Sequence, residues 1–149
     1  MSPMPLDIDP DAFRSLLEEI VPFNRALGLV LKEFDADAAR VSVELPLRDE
    51  HIGNVVRRMP HGGVIAALVD AAAGAAATLA LDDLESAPNV ATIDMRVDYL
   101  RPARGRSLLA NAEVMRSGRS VVVVRTDVHD EDGALVALGS SAFAIGRRA

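Results

Sequence analysis

The chain has 149 residues, half of them hydrophobic, with 22 acidic and 16 basic side chains and a formal net charge of −6. That is length enough for one domain over residues 1–149 with its own core, too apolar for disorder, and the wrong charge for nucleic acid as the main partner. Cysteine is absent, which excludes disulfides, thiolate metal sites and a thiol nucleophile.

The N-terminal MSPMPLDIDPDAF has no basic stretch followed by an apolar one, so no signal peptide is expected and the cytoplasm is the default compartment. Asp9 and Pro10 fit an N-cap and a first helical residue. Phe13, Leu16, Leu17 and Ile20 recur at helical spacing, and Pro22 closes a predicted helix over about 10–21. Asn24 to Leu27 is a short connection with room for one more helical turn. Gly28–Phe34 and Ala39–Leu45 are predicted strands joined by a hairpin loop at 35–38. In the second, Val41, Val43 and Leu45 alternate with Ser42 and Glu44. Pro46 to Pro60 is a long polar connection holding His51, Gly53, Asn54, Arg57 and Arg58. Connections of that length in compact domains are often functional.

Pro60 to Leu81 organises the rest. After a His61-Gly62-Gly63 turn, Val64 to Leu81 carries one charged residue, Asp70, among alanines. Alanine is the best helix former, so a helix is predicted from about Val64. With apolar residues on every side, it is expected to be buried all round. Its length approaches a membrane span, but a mid-helix Asp, a Gly and alanine in place of leucine argue against a membrane partner. Four strands follow a loop at 82–88: Val90–Leu100, Ser107–Met115, Ser120–Val128 and Ala134–Ile145. The first alternates through Thr92, Asp94, Arg96 and Asp98. Hairpin-length links imply an antiparallel sheet, and with one long helix they imply an α+β fold.

A carboxylate among alanines is costly unless paired or used. Gly62 and Gly63 stand where backbone N–H groups are free and the helix dipole favours negative charge, a fitting place for an oxyanion. The same glycines could equally serve turn geometry alone, and Asp70 could equally pair with an arginine or cap a neighbouring backbone. Gly62 and Asp70 lie roughly 12 Å apart at 1.5 Å per residue. One helix therefore cannot readily bring both to a single carbonyl. Two antiparallel copies across a two-fold axis can, so a homodimer with two composite sites is expected. Three scattered histidines offer no metal-ligand spacing, and no nucleotide-type glycine-rich loop is present.

HGGVIAALVDAAAG, then VATIDMRVDYLRPARG, then the closing AEVMRSGRSVVVVRTDVHDEDGALVALGSSAFAI together resemble the PaaI-like group of hotdog-fold acyl-CoA thioesterases, over about Pro22 to Ile145. The resemblance implies a sheet of about six strands around the central helix, hydrolysis of acyl-CoA, and dimers often paired into tetramers. No cofactor is implied beyond the coenzyme A of the substrate. It makes Asp70 the base or nucleophile and gives His61 a loop-shaping role. It matches Thr92 to a position that orients water; an ordinary strand threonine is the alternative. It places Asn54 at a carbonyl- or water-holding position. Here Asn54 precedes His61 by one residue more than the family spacing, so His51 competes for that role. Arg101, Arg104 and Arg106, with Arg119 further on, suit the coenzyme A phosphates beside Gly63, with a solvated charged turn as the alternative for each. The rival functions are an acyl-CoA hydratase or dehydratase using His61 and Asp70, and a non-catalytic acyl-CoA-binding module.

Overall fold

The protein is described here by a computed structural model of residues 7–146. The stretch inspected for a signal peptide begins outside the described residues. Asp9 caps helix α1 (Pro10–Ser15) by accepting from Asp11 N–H, with Pro10 in the first turn. One wider turn, Leu16–Ile20, continues it, closed by Val21 N–H donating to Leu16 O at 3.2 Å. The connection after it is helical too: α2 (Pro22–Leu27) ends on Gly28 at φ +77°. Phe13 anchors this layer through its ring contact with Phe34, centroids 4.7 Å apart.

The strands are β1 (Val30–Asp35), β2 (Arg40–Pro46), β5 (Val90–Tyr99), β6 (Ser107–Ser117), β7 (Val121–Asp130) and β8 (Leu135–Ile145). They form one antiparallel sheet in the order β1-β2-β6-β7-β8-β5. The long connection is not structureless. It carries a short helical turn (Asp49–His51) and a two-stranded ribbon of β3 (Ile52–Asn54) and β4 (Met59–Pro60). The loop at 82–88 likewise holds a helical turn, Leu84–Asn89.

Helix α3 (Gly62–Leu79) starts at the first glycine, two residues before the expected Val64, and packs on β2, β5, β6, β7 and β8. It is long and apolar enough to cross a membrane, but Leu68, Val69, Ala72, Ala73, Ala76 and Ala77 are fully buried inside the domain. Small residues let helix and sheet approach closely. A Cβ on Gly139 of β8 would lie 2.5 Å from Val69 Cγ1, and one on Gly74 would touch the Phe143 ring at 3.5 Å.

Two expectations need correction. Helix α3 is not buried all round: Ala67, Asp70, Ala71, Gly74 and Ala75 form a half-buried stripe at helical spacing. The sheet covers one side only, and alanines satisfy a buried side and a partly open one equally well. Second, β5 does not alternate evenly. Its register with β8 slips at Ile93, between Thr92↔Phe143 and Asp94↔Ala142. The extra residue of this bulge turns Thr92 to the helix side, while Asp94, Arg96 and Asp98 pair with the outward residues of β8.

Gly139→Ala is expected to lower the unfolding free energy by about 1–3 kcal/mol, because the stiff Val69 side chain cannot swing aside. Urea denaturation of Gly139→Ala, Val69→Ala and the double variant should show a less-than-additive double cost; additivity would place the strain elsewhere.

Candidate active site

The first turn of α3 shows why its residues are what they are. His61 is the N-cap, and its Nδ1 accepts from Gly63 N–H at 2.8 Å. His61 O accepts from Val64 N–H at 2.9 Å and from Ile65 N–H at 3.3 Å. His61 N–H is itself tied to His51 O at 2.8 Å. Of the amides that open the helix, Gly62 N–H is the one with no acceptor among the described residues. It lies at the positive end of the helix dipole.

The two glycines therefore differ. A Cβ on Gly63 would meet His61 Nδ1 at 2.9 Å, so the cap itself demands glycine there. A Cβ on Gly62 would have the Tyr99 hydroxyl and ring as its nearest neighbours, at 3.5–3.6 Å, an ordinary contact. No contact among the described residues requires glycine at Gly62. Gly53 packs against the same cap, where a Cβ would come 2.7 Å from His61 Cα. His61 is thus a wedged structural cap, its Nδ1 already engaged.

Asp70 sits on the half-buried stripe, less enclosed than its alanine neighbours suggested. Its Oδ1 accepts from Thr92 Oγ1 at 2.8 Å. The structure therefore brings Asp70 and Thr92 together and leaves Oδ2 available. It does not bring Asp70 to Gly62 within one chain, because a helix cannot fold back on itself. Asn54 is exposed in the ribbon turn, where its Oδ1 accepts from Arg57 N–H at 3.0 Å. Its amide NH₂ takes no part in that bond. His51, the alternative for that position, is turned inward. It is buried, its Nδ1 accepts from Arg48 N–H at 3.1 Å, and its Nε2 lies 3.3 Å from the Arg48 guanidinium. Burial first, and then the Arg48 charge, hold its pKa below the ordinary histidine value.

The basic cluster is larger than the sequence suggested. A groove of about 700 Å³ is lined by Arg48, Arg57, Arg58, Arg104 and Arg106 together with Met59, which leads into the His61 turn. Asp49 engages Arg58 at 2.8 Å, Glu131 engages Arg106 at 3.4 Å and Glu50 engages Arg48 at 3.6 Å. Arg57 and Arg104 make no ion pair among the described residues, nor does the exposed Arg101 just before the groove's Pro102. Arg119 does not join them. It follows the far end of β6, roughly 30 Å or more from Arg106 at strand rise.

Three supporting residues escaped the sequence reading. Buried Asp130 accepts from the N–H groups of Arg104, Asp132 and Ala134 at 3.0–3.1 Å, fixing the arginine loop to the β7–β8 turn. Glu131 accepts from Arg106 N–H at 2.7 Å, which pulls its carboxyl pKa down. Gly105, at φ +92°, passes so close to Glu131 that a Cβ would collide at 2.5 Å. An acidic turn following a strand was the available signal. Tyr99 is the third omission, with its hydroxyl donating to Gly62 O at 2.6 Å.

Gly62→Ala should leave the unfolding free energy within about 0.5 kcal/mol of wild type. Gly63→Ala should lose about 1–2 kcal/mol with the displaced cap. Urea denaturation of the two variants side by side checks this ordering; equal costs would return both glycines to turn geometry alone.

Among comparisons with known proteins, the family model of the thioesterase superfamily matches residues 60–137. The chain is 36% identical over 137 residues to the medium/long-chain acyl-CoA thioesterase YigI of Salmonella typhimurium, covering 85% of this chain and 86% of that relative. A Shewanella oneidensis protein related to the thioesterase superfamily superposes with a TM-score of 0.80 at 34% identity, covering 91% of this chain and 94% of that one. A variant of the phenylacetic acid degradation protein PaaI from Thermus thermophilus gives 0.70 at 26% identity, covering 84% and 99%. Fold, helix start and sequence agree, and the chain belongs to the thioesterase superfamily as a hotdog-fold hydrolase of its PaaI-like group.

Proposed function

We propose that the protein hydrolyses medium- or long-chain acyl-CoA thioesters at two composite sites of a homodimer. The observation that carries this is the state of the helix start: among the described residues the Gly62 N–H is the one amide of that turn with no acceptor, on a residue where a Cβ would make only ordinary contacts. Gly62 N–H polarises the thioester carbonyl. Asp70 of a second copy supplies the carboxylate, because about 12 Å of helix separates the two within one copy. Thr92 holds Oδ1 of Asp70, so Oδ2 faces the reacting carbon. That oxygen serves whether the carboxylate takes a proton from water or attacks directly. In the water route, the water oxygen bonds to the carbonyl carbon, the C–S bond breaks, and the thiolate leaves to collect the proton. The substrate class is that of the YigI relatives, and the half-buried alanine stripe beside Asp70 is the apolar surface that suits such a chain.

The arginine groove fits the phosphates of coenzyme A. It opens at the same end of α3 as Gly62, and its unpaired guanidiniums, Arg57 and Arg104, offer forked donors to phosphate oxygens. Asn54 presents its amide NH₂ from the ribbon that forms one wall. Of the rivals, a hydratase would leave the thioester intact, so release of free thiol separates it from the proposed hydrolysis.

Two experiments test the proposal. Asp70→Asn, which removes the carboxylate, and Gly62→Ala, whose methyl stands between the thioester and an N–H that the variant keeps, should each lose at least about a hundredfold in turnover. Mixed after co-refolding, the two variants should recover about a quarter of wild-type thiol release, since half the dimers then hold one intact site of two. Absence of recovery would show both groups acting from one chain. Separately, Arg57→Ala and Arg104→Ala should raise KM for an acyl-CoA about 3–10-fold with kcat unchanged, and leave the matching acyl-pantetheine thioester unaffected. Equal effects on both substrates would remove the groove from phosphate binding.

A further inference from the structure

We propose that Tyr99 is a positioning residue for carbonyl polarisation, holding the first turn of α3 so that Gly62 N–H keeps its aim. The inference rests on the assignment of Gly62 N–H as the carbonyl donor.

The first turn of a helix is where fraying starts, and two consecutive glycines make this one intrinsically weak. The free donor therefore sits on the least self-supporting part of α3. Two side chains hold it, and both act on the peptide that links Gly62 to Gly63. His61 Nδ1 takes the N–H of that peptide at 2.8 Å. Tyr99 OH donates to its C=O at 2.6 Å. With both ends fixed, the Gly62–Gly63 peptide plane cannot rotate. The preceding peptide has its carbonyl engaged by Val64 and Ile65, so its N–H, the Gly62 donor, points in one direction.

Tyr99 is the only tyrosine of the chain and ends edge strand β5. Its side chain is half exposed, so burial does not explain an aromatic residue there. The hydroxyl is what a phenylalanine would lack. Thr92, near the start of the same strand, holds Asp70. One strand thus fixes both reactive groups of the chain through single hydroxyl donors. Preorganised donors lower a barrier only if they need not reorient during reaction, so loosening the turn should cost turnover more than affinity.

The test is Tyr99→Phe. It should lower kcat for a medium-chain acyl-CoA about 5–20-fold with KM within a factor of two and the thermal midpoint nearly unchanged. Decanoyl-CoA carrying ¹³C at the carbonyl, bound to the slow Asp70→Asn protein, then reports polarisation directly by infrared difference spectroscopy. The carbonyl stretch should be red-shifted relative to free decanoyl-CoA, and Asp70→Asn/Tyr99→Phe should lose a large part of that shift. A red shift that survives in the double variant overturns the role of Tyr99 and leaves Gly62 standing. No red shift in Asp70→Asn alone overturns the assignment of Gly62, and the proposal with it. A fall in thermal midpoint that matches the loss of kcat, without a spectral change, makes Tyr99 a structural residue only.

Discussion

The close approach of α3 to the sheet governs the architecture. Alanine and glycine on the helix, and Gly139 on β8, let two backbones meet where ordinary side chains would hold them apart. Packing that tight leaves little freedom for the helix to slide, since interiors transmit volume changes rather than absorb them. The position of the helix along β5 is consequently fixed. Thr92 reaches Asp70 and Tyr99 reaches Gly62 only because of that register. The core sets the site; the site does not hold the core.

The same closeness explains what the helix leaves uncovered. A sheet can wrap one side of a rod, and the other side of α3 shows small side chains, one carboxylate and no covering element among the described residues. Beside it runs β5, an edge strand with a bulge at Ile93 and alternating charges on its outward side. Bulges and charged residues are the usual means of keeping an edge from random pairing. An uncovered stripe next to a guarded edge fits a surface meant for one specific neighbour. On the proposed mechanism that neighbour is a second copy of the chain.

Much of this was legible in the sequence, because it depends on local chemistry. Alanine runs, a lone acid and a double glycine announce α3 and its two candidate positions, and clean alternation announces β2. What could not be read depends on contacts distant in sequence. The bulge at Ile93 changes the facing of Thr92 by one residue, and no residue type marks it. The β3–β4 ribbon is five residues in two short strands within a polar stretch, too brief for any periodicity. His51 resembled a candidate because a histidine in a polar loop suggests exposure, whereas Arg48 and the ribbon bury it. Arg119 was grouped with Arg104 by residue type, and the length of β6 separates them. Arg57 joins Arg104 only through the ribbon, which sequence reasoning left as loop.

Charge placement ties these parts together. The chain is acidic overall, yet five of its sixteen basic residues line one groove at the end of the domain where α3 begins. Asp49, Glu50 and Glu131 hold Arg58, Arg48 and Arg106 in place, and Arg57 and Arg104 have no ion-pair partner among the described residues. The positive helix end and the free guanidiniums therefore point their fields at the same region, while the remaining acidic surface repels anions elsewhere. On the proposed function, an anionic molecule with a neutral reactive carbonyl is drawn in by its phosphates and arrives with that carbonyl near Gly62. Binding energy gathered far from the reacting bond then serves to place it, and glycine at position 62 supplies the one thing the groove cannot: a donor with nothing in front of it.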